Sequence, residues 1–119
     1  MSVSGCGTTR DFGFRFRAYP FAGEVPGRFM ARVYGGTVAE CIRWLPEIWR
    51  GAHPVPSNHV WMLNHCKMSF SRPVPFQAGG DVHGMRSEIE YKLAADPVDL
   101  LDWRALHRME RDGDPAFEN

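Results

Sequence analysis

The chain has 119 residues, 44% hydrophobic and 24% charged, with fourteen basic side chains balanced by fourteen acidic ones. That length points to a single domain, and the composition excludes a disordered chain. A net charge of zero gives no overall field to gather nucleic acid or anionic lipid, and no stretch approaches the roughly 20 apolar residues of a membrane span.

The opening residues are glycine-, serine- and threonine-rich. Val3-Ser4-Gly5-Cys6 has the look of a lipoprotein cleavage box, but such a box needs a charged segment and an apolar run ahead of it. Only five residues precede Cys6, so residues 1–9 are expected to be a flexible tail. Five arginines against Asp11 and Glu24 give residues 1–35 a charge of +3. The remainder therefore carries −3. Cys6, Cys41 and Cys66 are odd in number and widely spaced, a pattern of reduced cytoplasmic thiols rather than a disulfide framework or zinc knuckle.

Phe12 to Pro20 alternates, with Phe12, Phe14, Phe16 and Ala18 on one side and Arg15, Arg17 and Tyr19 on the other. Arg28 to Tyr34 repeats the pattern after a glycine- and proline-rich turn. Period two predicts strands, here an antiparallel hairpin. Setting Ala18 opposite Val33 keeps Arg17 from facing Arg32, places Arg17 beside Tyr34 and Tyr19 beside Arg32, and allows guanidinium–ring contacts. Gly35-Gly36 ends the hairpin, and Thr37-Val38-Ala39-Glu40 has the spacing of a capping box. A helix is expected there with Val38, Cys41, Ile42 and Leu45 as its apolar stripe. Pro46 should kink or end it, leaving Glu47 to Arg50 as a last turn.

Alternation returns over His59–Phe70 and Val82–Leu93. Joined through a loop over 71–80, they predict a second hairpin with Phe70 opposite Asp81, Met68 by His83 and Cys66 by Met85. Met85, Ile89 and Leu93 also fit a helical spacing. Finally, Asp96 can cap a helix with Pro97 at its first position, and Gly113 can stop it. The expected fold is α+β, one domain over 10–113 and a tail over 114–119. Its order is ββαββα, a four-stranded antiparallel sheet with two helices on one face.

For chemistry, the histidines and cysteines scatter: neighbours His65 and Cys66 fall on opposite faces of a strand. No three ligands converge as a zinc site requires, and no metal or cofactor is expected. No G-x-S-x-G elbow occurs, and Cys41 beside Glu40 is a poor thiolate. Asn64 falls on the apolar face with Ser87 opposite, either bonded to each other inside the sheet or polar groups of a ligand pocket. The Tyr34-Gly35-Gly36-Thr37 junction is explained by a tight turn, or by an anion held on free amides. Trp61 and Leu63 face outward, and if uncovered they form an apolar patch suited to a two-fold dimer.

These residues favour a non-catalytic, cytoplasmic binding module that homodimerises and has room for a small amphipathic or anionic ligand. Arg17, Tyr19, Arg32, Tyr34, Trp61, Asn64 and Ser87 are the candidate contacts. One alternative is an accessory or inhibitory protein whose Arg/Tyr face docks on a protein or nucleic acid partner. Another is a small enzyme using Asp81 and His83.

Overall fold

The computed structural model describes residues 2–96, 98–99, 101–103 and 107–108. Its elements are β1 (Ser2–Gly7), β2 (Phe29–Gly35), α1 (Val38–Arg50), β3 (Asn58–Leu63), β4 (His65–Ala78) and β5 (Asp81–Lys92). They form two sheets, an antiparallel one ordered β1-β2-β3 and a separate β4-β5 hairpin. The expected four-stranded sheet with two helices is therefore corrected. The chain remains α+β, with one helix among these elements. The helix expected between Asp96 and Gly113, and the 114–119 tail, lie largely or wholly outside the described residues. Among the described residues no helix is long and apolar enough to cross a membrane.

The first correction concerns the partner of β2. Ser2–Gly7, expected to be a loose tail, is the strand that pairs with it, Cys6 opposite Ala31 and Gly5 opposite Arg32. Phe12–Pro20 is not a strand. Phe14 and Arg15 take left-handed backbone angles, φ 47° and 60°. Phe16 donates its amide to the Gly13 carbonyl at 2.8 Å while accepting from the Phe12 amide at 2.8 Å. The segment therefore turns back on itself and then crosses the sheet.

The crossing explains the small residues of β1. Gly5 and Gly7 lie on one strand face, and a Cβ at either position would overlap the Tyr19 side chain. The two glycines make the groove in which that ring lies. On this face the register aligns Gly5, Arg32 and Val60, then Gly7, Met30 and Met62. Met30 is fully buried, with Ala18, Ala22, Phe29, Ala31, Tyr34 and Val55 completing the buried apolar set.

Helix α1 begins as expected. Thr37 is the N-cap: its hydroxyl accepts from the Glu40 amide at 3.2 Å, and the Glu40 carboxylate accepts from the Thr37 amide at 2.8 Å. Pro46 does not end it. The helix runs through Arg50 and stops at Gly51, a left-handed C-cap (φ 77°) whose amide donates to Ile48 at 3.1 Å. The carbonyl that Pro46 deprives of a donor belongs to Ile42, an exposed residue, so water can satisfy it.

The second hairpin exists only in part: the expected strand His59–Phe70 breaks at Asn64, its first half is β3 and pairs with β2, and only β4 pairs with β5, in a different register and with a longer reach. Cys66 pairs with Tyr91 and Met68 with Ile89, then the ladder slips and resumes at Val74 opposite Arg86. The expected pairs of Met68 with His83 and Cys66 with Met85 are thus displaced, although the same faces still meet. The region 71–80, expected to be a loop, is strand as far as Ala78 and turns at Gly79-Gly80. Pro73 and Pro75 have no amide to donate, which suits them to the irregular stretch of a two-stranded ladder. Phe76 in the distal half lies 6.5 Å from Tyr91 at the base. The hairpin is therefore bent, not straight.

Candidate functional site

The seven candidate contacts do not form one surface. Tyr19 and Arg32 do lie together, but as a loop over a sheet rather than as cross-strand neighbours. The Arg32 guanidinium donates to the Ala18 carbonyl at 2.7 Å and to the Asn58 side-chain oxygen at 2.9 Å. Burial lowers the pKa of Arg32, an effect that Tyr19 opposes; burial likewise raises that of Tyr19. Tyr34 is buried, its hydroxyl donating to the Thr37 carbonyl at 3.0 Å. Arg17 alone of this group is exposed, 4.0 Å from Asp11. The Arg/Tyr set is thus an internal fastening.

Asn64 is exposed at the single-residue junction between β3 and β4, and Ser87 is exposed on β5. The register gives them no pairing with each other. The buried amide of this region is Asn58. Its oxygen holds Arg32, and its Nδ2 group has no protein partner among the described residues. Trp61 is 48% exposed on the edge strand β3, stacked 6.0 Å from His59, with half-buried Leu63 beside it. The patch there is small.

Asp81 and His83 sit near the hairpin tip, both exposed, His83 with its ring 5.8 Å from Phe76. Among the described residues no three His, Cys, Asp or Glu side chains gather as metal ligands would. A shallow hollow of about 190 Å³ lies between Cys6, Gly7, Thr8 and Phe29 on one side and Tyr91, Lys92 and Leu93 on the other. Small-molecule pockets usually enclose roughly 300–1,000 Å³. The hollow is too small and too open to hold a ligand of that class.

Among the described residues an exposed apolar row lies on α1, where spacing alone predicts core. On α1 the half-buried side is Cys41, Trp44 and Ile48. Val38, Ile42, Leu45 and Trp49 form a stripe on the other side and are 55%, 67%, 44% and 41% exposed. The stripe continues into the loop: Trp49 stacks on Phe16 at 5.0 Å, Phe16 meets Phe12 edge-on at 6.3 Å, and the Arg17 amide donates to the Trp49 carbonyl at 3.0 Å. Beside them Phe14 is 96% exposed on a left-handed backbone. A bulky residue held there is conformationally costly, and no buried contact compensates for it.

The sequence contained part of this signal. The helical spacing of Val38, Ile42, Leu45 and Trp49 is visible. The stripe expected from spacing alone, Val38, Cys41, Ile42 and Leu45, mixes this exposed row with the adjacent half-buried one of Cys41, Trp44 and Ile48. Comparison with protein-family profiles, with characterised proteins and with solved structures matches this chain to none of them.

Proposed function

We propose that this chain is a non-catalytic interaction module that self-associates through the exposed side of α1 and the adjoining Phe12–Phe16 loop. The observation that carries this reading is the stripe Val38, Ile42, Leu45 and Trp49, more than two-fifths exposed at every position. Contiguous apolar surface of this kind marks an association site.

A second copy fits the stripe by symmetry. Its intervals of four, three and four residues read the same in both directions. An antiparallel two-fold pairing therefore sets Val38 against Trp49 and Ile42 against Leu45, small beside large and medium beside medium. Two-fold contacts of this isologous kind dominate soluble oligomers. A standard interface takes about 800 Å² from each partner. Phe14 alone offers most of the roughly 150–250 Å² an aromatic side chain carries, and with Phe12 and the four stripe residues the patch approaches that size.

Sedimentation velocity over a concentration series tests the reading. The natural chain is expected to sediment as a dimer, and Ile42→Glu with Leu45→Glu as a monomer with an unchanged circular dichroism spectrum, because both positions are exposed. A natural chain that stays monomeric into the high micromolar range would contradict it. So would a dimer that the two substitutions leave intact.

A further inference from the structure

Two of the three cysteines, 60 positions apart in the chain, come together where the two sheets meet. Cys6 is on β1 opposite Ala31, on the sheet face that also carries Phe29. Cys66 is on β4 opposite Tyr91. The Tyr91 ring lies 6.5 Å from Phe29, and Tyr91 and Cys6 line opposite sides of the same hollow. The register thus aims both sulfurs into one seam, where Cys66 is close enough to Cys6 to act on it electrostatically. Both are free and half-buried. Cys41 is placed elsewhere: it sits on α1, close to Tyr34, on the other face of the sheet.

We propose that Cys6 and Cys66 are a reversible disulfide site, oxidised by small disulfides of the glutathione class, that ties β1 to the base of the β4–β5 hairpin. The exchange balances in two steps. The Cys66 thiolate attacks one sulfur of the small disulfide, forming a mixed disulfide and expelling one small thiolate, which takes up a proton. Cys6 then loses its proton to solvent and attacks the Cys66 sulfur, expelling the second small thiol. Two protein thiols are oxidised to one disulfide, and one small disulfide is reduced to two thiols.

The order follows from the surroundings of Cys6. Burial, reinforced by the neighbouring Cys66, pushes its pKa up to about 12. A thiol that holds its proton so firmly is a poor first attacker on a partner from solution. It suits the second step, where the target sulfur is already beside it and proximity replaces concentration. Thiol–disulfide exchange of this kind needs no metal and no cofactor.

The test uses the natural chain, reduced and then incubated with glutathione disulfide. Intact-mass spectrometry is expected to show the loss of two hydrogen atoms per chain. A non-reducing tryptic digest should yield residues 1–10 linked to residues 51–67. Cys41→Ser should react identically, and Cys6→Ser should stop at a glutathione adduct on Cys66. Oxidised protein should exchange its amides over 65–92 several-fold more slowly than reduced protein. A bond involving Cys41, stable glutathione adducts on both Cys6 and Cys66, or no reaction at either thiol would each overturn the proposal. The natural chain carries the first readout, so a variant that fails to fold does not weaken it.

Discussion

The molecule divides into a body and an arm that are held by different forces. In the body, β2 places Phe29, Met30, Ala31 and Tyr34 among buried neighbours, and the Tyr19 loop closes one side. In the arm, not one residue from His65 to Lys92 is buried. Its two strands hold each other by their ladder and by exposed side-chain contacts across it, the Lys67–Glu88 ion pair at 2.9 Å and the His65–Glu90 hydrogen bond at 2.7 Å. Exposed pairs contribute little, and an isolated hairpin is marginal in water. The arm therefore depends on its seam with the body, where Phe29 meets Tyr91 and Tyr91 meets Phe76. Burial fixes the body, whereas attachment fixes the arm.

The sharpest way to break this contrast is in the body. Met30→Ala removes a fully buried side chain and is expected to cost about 2–5 kcal/mol, unfolding body and arm together in a denaturant titration. Next in size is the release of the arm at alkaline pH. Burial pushes the Tyr91 phenol up to about 12 from its ordinary 10.0, and Cys6 to about 12 from 9.0. Both groups are raised, so their contribution is complete below about pH 9, and it declines as the unfolded chain ionises and is gone once the folded groups do. Between pH 9 and 12, amides of 65–92 are expected to lose protection before those of 29–35. Loss in the reverse order would contradict the attachment. The smallest effect is at the helix start: Thr37→Ala deletes the cap that accepts from Glu40 and should cost about 1 kcal/mol, read as a modest drop in thermal midpoint.

The sequence was legible where local chemistry decides the structure. The Thr37/Glu40 box, the β2 strand and the shared face of Cys66, Met68, Ile89 and Tyr91 all follow from spacing. It was illegible where a distant residue decides. Nothing within Ser2–Gly7 alternates, because Gly5 and Gly7 are small to accommodate Tyr19, a residue a dozen positions away. Phe12–Ala18 alternates well, yet its backbone turns left-handed at Phe14 and Arg15. The register of the arm slipped for a related reason. Pros 73 and 75 mark the irregular stretch, but they do not say how many residues it absorbs.

The candidate contacts followed the same division. Arg32 and Tyr34 were expected on an outer ladder because Phe12–Pro20 was expected to be its partner strand. With that segment crossing the face instead, Arg32 is half-buried and Tyr34 buried. The exposed stripe of α1 was expected to pack on a broad sheet. The sheet has three short strands, and among the described residues only the Cys41, Trp44 and Ile48 side of α1 is half-buried.

Hydrogen exchange measured at several protein concentrations tests the account most directly. Self-association through α1 predicts that amides of 38–50 and of the 12–16 loop gain protection as concentration rises, while those of the arm do not change. Concentration-dependent protection confined to β3 around Trp61 or to the arm, or none anywhere, would contradict it.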